Sequence, residues 1–580
     1  MPRLLALELE NFQSIVDSTR IEFAPITLMY GPNSAGKSAI FDALHFVQLF
    51  WDQHSHHVDE LTALSKRWAH KPLQWEASTE RRMRIAVEFD FDSTDPYERW
   101  GENAALQLPE SHIEEPPYFG GEDFIYEISQ LPNKIVRLEV GLTVSEDAVN
   151  IEDLKISVGG SPVLLSGRSL PNGLDRNGTG FNERSQHYIA LASGHPFDNF
   201  LYAEPTIHAQ LKIENPLEYS GAFTHEKVHY AYVLGAFDKL NPRKIIYDHI
   251  YAHLGNSSLK TDICEKIITL TKEVLAFLGG QLTTLLKLSP PIVRDNRTIP
   301  NQPEYEYSVN LYNFLNAWGT AKTHLKYQLD QPDQQTSINS HFEYLALLTH
   351  CGLIEKSIDL AGGWHRDADE FKANFKEKLT QLKLINEYLD GHLFIDKAYH
   401  LTAESKIIST LTHTSHSPLE EPDIYSSALV RLLLIDNESR VLELRDVGSG
   451  IPFLLPILSA AVRSGITSVQ QPELHLHPRL QASMADIFVD RMSSDKNWQA
   501  IIETHSENFL LRLLKKVRLT GQGKQQLTTL TPEDIAIYYF DPQMVGGTIV
   551  TKQLLTPLGD FYSEWPKGFF SERYEDLFDE

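Results

Sequence analysis

A lysine and a serine at positions 37 and 38, preceded by glycines at 31 and 36, are the residues of this chain best suited to hold a phosphate chain. The run Tyr30-Gly-Pro-Asn-Ser-Ala-Gly-Lys-Ser38 fits the spacing G-x-x-x-x-G-K-[ST]. In that arrangement the backbone N–H groups of Asn33, Ser34, Ala35 and Gly36 curl around phosphate oxygens and Lys37 reaches the terminal phosphates. The Ser38 hydroxyl is a ligand for Mg²⁺, and the helix that follows adds a partial positive charge. The competing account is an ordinary glycine-rich turn. Its flanks argue for phosphate: the apolar run Ile26–Tyr30 reads as a buried strand, and Ala39–Phe46 has helical spacing. ATP with Mg²⁺ is the expected ligand pair.

Three further blocks lie near the other end of the chain. Asp446-Val-Gly-Ser-Gly-Ile451 is a glycine-rich turn that feeds an apolar helical run, with Ser449 and Gly450 at its mouth. The block Ile466-Thr-Ser-Val-Gln-Gln-Pro-Glu-Leu-His-Leu-His-Pro478 carries a strand, and Trp498–Ser506 reads as a buried strand ending at His505. Strand, helix, strand is the alternation of a parallel α/β core. Other clusters read as solvated surface. His54-Ser-His-His57 with Asp59 and Glu60 matches no metal spacing, and Lys515, Lys516 and Arg518, like Arg243 with Lys244, fit exposed helix faces. A local basic groove for nucleic acid stays open at those two places.

The elements that must position these residues divide the chain into four expected stretches. Residues 1–93 open an ATPase head, with strands at Leu4–Leu9 and Thr19–Phe23, the P-loop strand and helix, and an alternating strand at Arg82–Phe91. Residues 94–220 form a β-rich and irregular insertion, with strands expected at Ile135–Val144 and Leu154–Leu165, a loop at Glu115–Gly121, and little pattern over 168–218. Residues 221–400 read as a helical lobe, with periodic segments at Ile263–Leu278, Tyr307–Leu329, Ser337–Leu348 and Ala368–Leu389. Residues 401–580 return to strand signal and complete the head, beginning with a hairpin of Ala428–Ile435 and Arg440–Arg445 through Asp436–Ser439. No heptad run of coiled-coil length occurs.

Composition narrows the class. The chain has 580 residues, 42% hydrophobic and 22% charged, as an ordinary globular protein of more than one structural unit does. No apolar run reaches the ~18 residues of a membrane span, and acids interrupt the N-terminus too early for a signal peptide. The cysteines, Cys264 and Cys351, fit no metal spacing. A cytoplasmic protein without membrane partner is expected. The net charge of −26 opposes wrapping of nucleic acid over a wide surface.

Taken in order, the P-loop, a large insertion, Val-Gly-Ser-Gly, Gln-Pro-Glu-Leu-His-Leu-His-Pro and Glu-Thr-His-Ser resemble the ABC-type ATPase heads of recombination and defence proteins. They are most similar to the stand-alone AAA-type ATPases related to the OLD proteins (overcoming lysogenization defect) and to the Septu component PtuA. Asp560–Phe570 resembles the C-terminal signature of that group, and the likeness covers about residues 1–50 and 424–570. The implied fold is α/β: an ABC/SMC-type P-loop ATPase head, a mixed sheet with an antiparallel β lobe, plus a largely helical insertion. Ser449 and Gly450 then stand at the signature position, offering a helix N-terminus to the γ-phosphate held by a second subunit, so two or more chains pair through their heads. His505 stands at the switch position, where an imidazole engages the γ-phosphate or the attacking water.

The resemblance also exposes a departure. A Walker B strand ends in an acid for Mg²⁺ followed by a second acid that polarises water. Here Gln470 stands where the Mg²⁺ acid is expected and Gln471 where the general base is expected. Glu473 is the nearest remaining carboxylate in that block. A natural ATP-binding switch and a substitution that traps the ATP state both produce this pattern. The resemblance implies a nucleotide-gated sensor and scaffold in anti-phage defence. No Toprim-type Asp-x-Asp follows His505, so a separate nuclease or toxin effector is implied. The alternative is a DNA-repair or chromosome-maintenance ATPase of RecF or SMC type, which calls for a basic DNA face or coiled-coil arms.

Overall fold

The computed structural model describes residues 3–51, 67, 81–90, 135–144, 149–167, 187–192, 217–218, 227–234, 292–294, 306–310, 335–361, 369–412, 423–524, 527–544 and 547–563. The His54–Asp59 run, Arg243 with Lys244, the Ile263–Leu278 segment and the end of the C-terminal signature lie outside them. By internal contacts the chain forms two compact units. One holds residues 1–23, 31–287 and 540–551; the other holds 24–30, 288–539 and 552–580.

The first unit is built on a nine-stranded sheet in the order β2-β1-β4-β5-β6-β7-β8-β10-β9. Its strands are β1 (Arg3–Glu10), β2 (Thr19–Glu22), β4 (Arg81–Asp90), β5 (Ile135–Val144), β6 (Val149–Val158), β7 (Ser161–Gly167), β8 (His187–Ala192), β9 (Leu217–Glu218) and β10 (Lys227–Leu234). The pairs are antiparallel and one face is apolar, so side chains alternate. Leu7, Leu9, Ile85, Val87, Leu138 and Val140 are buried, while Glu8, Arg20, Glu88, Arg137 and Glu139 form an ion-pair lattice on the opposite face. The pattern over 154–165 reads as one strand, but the chain reverses at Gly159 and Gly160, both at positive φ, and makes the β6–β7 hairpin. Two strands, β8 and β9, also occupy the pattern-poor stretch 168–218. The P-loop helix α1 (Ala39–Trp51) belongs to this unit.

The second unit carries a four-stranded antiparallel sheet of β11 (Glu306–Asn310), β12 (His400–Thr412), β13 (Asp423–Ile435) and β14 (Val441–Glu443). The expected hairpin is there, closed by Asp436, whose carboxylate accepts from the amides of Glu438 and Arg440 at 3.0 and 2.9 Å. Helices α2 (Gln335–Ala361) and α3 (Asp369–Glu387) cover the expected helical segments Ser337–Leu348 and most of Ala368–Leu389. Tyr307–Asn310 is strand rather than helix, because Glu306–Asn310 pairs with Ser427–Arg431 of β13 and that ladder overrides the local periodicity.

A five-stranded sheet runs β15 (Ile466–Gln470), β16 (Gln499–Glu503), β3 (Ile26–Tyr30), β17 (Ile535–Pro542), β18 (Thr548–Gln553). The first four strands are parallel. All residues of β3, β15 and β16 are buried, as strands covered on both faces must be. Covering helices are α4 (Gly450–Ala461), α5 (Pro478–Ser494) and α6 (Glu507–Gly521), with Phe488 stacked on Trp498 at 5.8 Å in the packed interior. Pro478 at the first position of α5 and the Ser506 hydroxyl, which accepts from the Phe509 amide at 3.1 Å, fix where α5 and α6 begin. No described helix is long and apolar enough to cross a membrane.

Candidate functional site

The P-loop is held by its own unit in the shape its sequence requires. Gly31 has φ +144° and an ideal Cβ there would lie 2.4 Å from the Phe540 carbonyl oxygen; Gly36 has φ +86° and its Cβ would lie 1.8 Å from Ser14 Oγ. Only glycine satisfies both the backbone angle and the clearance. Thr548 Oγ1 donates to the Ala35 carbonyl at 2.9 Å, and the Thr548 amide to the Ser14 carbonyl at 2.7 Å, which ties the loop to the turn that follows β1. Asn33 and Ser34 are exposed, Ala35 is buried, and Gly36 and Ser38 are half-buried. Among the described residues the amides of Ser34, Gly36 and Ser38 donate to no acceptor. Lys37 is 2% exposed, and its Nζ donates to the carbonyls of Gly31 and Pro32 at 3.0 and 2.9 Å. Amides that donate to no described acceptor, a lysine and a serine hydroxyl at a helix start are a donor set for a phosphate chain with its cation.

The second unit gathers the other blocks at the carboxyl ends of parallel strands. β16, which leads to His505, lies between β3 and β15, the strand that ends in Gln470. In the β15–β16 register Gln470 is opposite Glu503, and Glu503 is opposite Met29 of β3, two residues before the P-loop begins. Gln470 and Glu503 are 5% and 6% exposed, and Gln470 Nε2 donates to Glu503 Oε2 at 3.0 Å. The segment around Val293 pairs with β15 from its other side, taking the Gln470 amide on the Val293 carbonyl at 2.8 Å. Gln471 adopts φ +47° and its amide donates to the Glu503 carbonyl at 2.6 Å, so the chain turns sharply after β15.

Glu473 faces the neighbouring strand end. Its Oε2 accepts from Thr504 Oγ1 and its Oε1 from the His505 amide, each at 2.7 Å. The regular strand stops at Glu503, two residues short of the sequence expectation, and Thr504 to Ser506 form the turn into α6. His505 is half-buried there. Tyr30 at the end of β3 donates to the Ser506 carbonyl at 3.2 Å, and burial together with the Glu473 charge pushes its phenol well above the usual range.

Ser449 caps α4 without a side-chain hydrogen bond and is exposed, and Gly450 packs so closely that its Cβ would meet the His475 carbonyl at 3.2 Å. Phe453, one turn on, packs against the His475 ring with centroids 4.3 Å apart and the planes tilted by 34°. The start of α4 is therefore fastened to the turn between Gln471 and His477. Of the basic cluster on α6, Lys516 pairs with Asp486 at 3.1 Å and Arg518 with Asp560 at 2.8 Å, and Arg512, one turn earlier, reaches Asp486 as well at 3.5 Å. No group of three or more His, Cys, Asp or Glu side chains placed to hold a metal ion occurs among the described residues.

Sequence reasoning singled out Gln470, Gln471, Glu473 and His505 but passed over Glu503 and Thr504. The available signal was an acid closing the buried apolar run Ala500–Ile502.

A central parallel strand leading through a P-loop into a helix, with β16 beside that strand and the glutamine-ended β15 beyond, gives the fold of an ABC/SMC-type P-loop ATPase head with an antiparallel β lobe. A family model described as an AAA ATPase domain matches residues 3–510, and the chain belongs to that family of ATPases. Among solved structures, an Smc head bound to the C-winged helix domain of ScpA aligns over 95% of this chain and 98% of that one, with 10% identity and a TM-score of 0.37. The Smc head with an extended coiled coil bound to the C-terminal domain of ScpA from Pyrococcus furiosus covers 96% and 97% with 10% identity and a TM-score of 0.34. The SMC head from Thermotoga maritima covers 95% and 98% with 9% identity and a TM-score of 0.30. At such scores these likenesses carry no functional argument. Comparison with curated proteins gives no match.

Proposed function

We propose that this ATPase is a nucleotide-gated sensor and scaffold of prokaryotic anti-phage defence that works through a separate nuclease or toxin. ATP binds with its phosphates on the P-loop amides and Lys37. Mg²⁺, when bound, neutralises the phosphate charge and polarises the terminal phosphoryl group. Ser38 would supply the hydroxyl ligand, and Gln470 stands where the resemblance calls for the Mg²⁺ acid. Oxygen-only donors suit a hard cation. His505, whose amide is held by Glu473, would be the residue that engages the γ-phosphate or the attacking water.

The observation that carries the two-chain reading is the mouth of α4. Ser449 is exposed and leaves its helix N-terminus uncapped by its own side chain, which suits a contact supplied by another molecule. A second copy of the chain, paired head to tail, places that terminus on the γ-phosphate. The pairing of Lys516, Arg512 and Arg518 with acids favours a protein-binding scaffold over a DNA-wrapping enzyme.

The test is ATP binding and hydrolysis by the chain beside Gln470→Glu, with oligomer size measured with and without ATP, and phage plating on cells carrying the gene with its neighbours. ATP binding with hydrolysis raised in the glutamate form, together with plating protection that Lys37→Ala abolishes, supports the reading. No ATP binding by either form sinks it. Protection that survives Lys37→Ala removes the nucleotide gate.

A further inference from the structure

We propose that Gln481 is a positioning residue for ATP hydrolysis: from the first turn of α5 it ties the turn that carries His505 to the turn that follows β15. Its role rests on the part given above to His505, and every residue of the tie lies in the second unit. The Gln481 side chain is used at both ends. Its Nε2 donates to the Leu476 carbonyl at 3.0 Å, while its Oε1 accepts from the Ser506 hydroxyl at 2.8 Å and from Asn508 Nδ2 at 3.3 Å. A glutamine that served only the start of its own helix would need the first bond alone. The other two go to residues 25 and 27 positions further along the chain, directly after His505.

The two turns differ in what else holds them. The one after β15 is closed by its own backbone: the Gln471 amide donates to the Glu503 carbonyl at 2.6 Å, the Leu474 amide to Gln471 at 3.2 Å and the Leu476 amide to Glu473 at 3.1 Å. Thr504 to Ser506 lie past the end of the regular strand, so their side-chain bonds count for more. Glu473 holds that turn from the Thr504 and His505 side, and Gln481 holds it from the Ser506 side. The His505 backbone is therefore gripped between two side chains of the segment 473–481. Ser506 Oγ also accepts from the Phe509 amide at 3.1 Å, so the acceptor on Gln481 orients the hydroxyl that starts α6. An apolar side chain of the same length at 481 removes the grip on one side only. A shift of about 1 Å in a reacting group costs on the order of a hundredfold in rate.

The experiment measures steady-state hydrolysis, ATP affinity by calorimetric titration and thermal melting for the full chain, Gln481→Met, Gln481→Glu, His505→Ala and the double variant Gln481→Met with His505→Ala. All are made in the unaltered chain and in Gln470→Glu, and the faster of these two is the reference. Gln481→Met is expected to keep ATP affinity and KM within about twofold and to lose about tenfold or more in kcat. His505→Ala is expected to lower kcat, and adding Gln481→Met to it to cause no further loss, because one residue acts through the other. A lowered melting temperature with unchanged kcat in Gln481→Met makes the residue merely structural and overturns the proposal, leaving the reading of His505 intact. Losses that multiply in the double variant overturn it as well. Unchanged kcat in His505→Ala, or no hydrolysis by either reference chain, overturns that reading and the proposal together. Where Gln481→Met does not fold at assay temperature, Gln481→Glu carries the test. It keeps an acceptor for Ser506 and loses the donor to Leu476, and a kcat equal to the reference counts against the proposal.

Discussion

The Glu473 carboxylate accepts the amide hydrogen of His505 at 2.7 Å, so the acid just past β15 holds the backbone of this histidine. Its other oxygen takes the Thr504 hydroxyl, and Thr504 Oγ1 in turn accepts from the Ser506 amide at 3.0 Å. A glutamine here keeps one acceptor and sets an amide NH₂ where a second acceptor is needed. Glu473→Gln is therefore expected to destabilise the protein by about 1–3 kcal/mol. It should also lower kcat while leaving ATP affinity in EDTA near its original value. Thermal melts and steady-state hydrolysis check this, and an unchanged kcat would show that the grip on His505 has no catalytic consequence.

Gly36 gives a sharper steric prediction. Gly36→Ala must hold a side chain at φ +86° and push its Cβ to 1.8 Å from Ser14 Oγ. The backbone angle alone costs about 1–3 kcal/mol, and the clash adds to it. Ser14 Oγ is buried and has no hydrogen-bond partner among the described residues, so Ser14→Ala alone should cost little. Combined with Gly36→Ala it should return part of the lost melting temperature but not the ATP affinity, because the loop backbone stays displaced. A double variant no more stable than Gly36→Ala would place the strain elsewhere.

These residues differ in how far sequence could reveal them. The P-loop was readable because every element of it is local: glycines, lysine, serine, an apolar strand before and a helical pattern after. The hairpin around Asp436 and the turn into α4 were readable for the same reason. The Gln470–Glu503 pair was not, since it depends on which strands lie side by side over a separation of 33 residues. Nothing in either strand's own pattern encodes the neighbour. Glu473 reaching the His505 amide is likewise a product of the sharp turn at Gln471. The single strand read over 154–165 failed because apolar alternation continues across Gly159 and Gly160, and only their positive φ marks the reversal. Tyr307–Asn310 went the other way, its helical spacing yielding to a partner strand more than a hundred residues later.

The ion-pair lattice on the first unit sets a pH dependence. Arg20 grips Glu88 through both nitrogens at 2.8 and 2.6 Å, and Arg137 adds a third contact at 2.8 Å. The Arg20 hydrogen bonds, opposed by burial and aided by Arg137, hold the Glu88 carboxyl below its ordinary value. A lowered folded-state value means that the unfolded chain binds the proton first as pH falls. The stabilisation is therefore full above about pH 4.3, the unfolded value, and is lost as pH drops through the folded one. Melting temperatures of the chain and of Glu88→Gln should differ most at neutral pH and converge in acid. Parallel curves from pH 7 to pH 3 would show that Glu88 is not held this way.

The exposed mouth of α4 allows the two-chain site to be tested by complementation. Ser449 makes no side-chain cap bond, so Ser449→Arg should change stability by no more than about 0.5 kcal/mol. A bulky cation at the helix N-terminus would nevertheless bar it from approaching the nucleotide of another chain. Ser449→Arg should therefore bind ATP normally and hydrolyse it poorly. Lys37→Ala should fail for the complementary reason, having an intact α4 mouth and no lysine for the phosphates. In a head-to-tail pair each site takes its P-loop from one chain and its α4 from the other. Mixing the two inactive variants then produces pairs in which one site carries both defects and the other carries neither. With random pairing, half the pairs are mixed and each has one working site, so about a quarter of the original hydrolysis rate should return. A site completed within one chain predicts no recovery at any mixing ratio. The same measurement on Glu473→Gln mixed with Ser449→Arg assigns Glu473: recovery there places it with the P-loop half of the shared site, and silence places it with the α4 half.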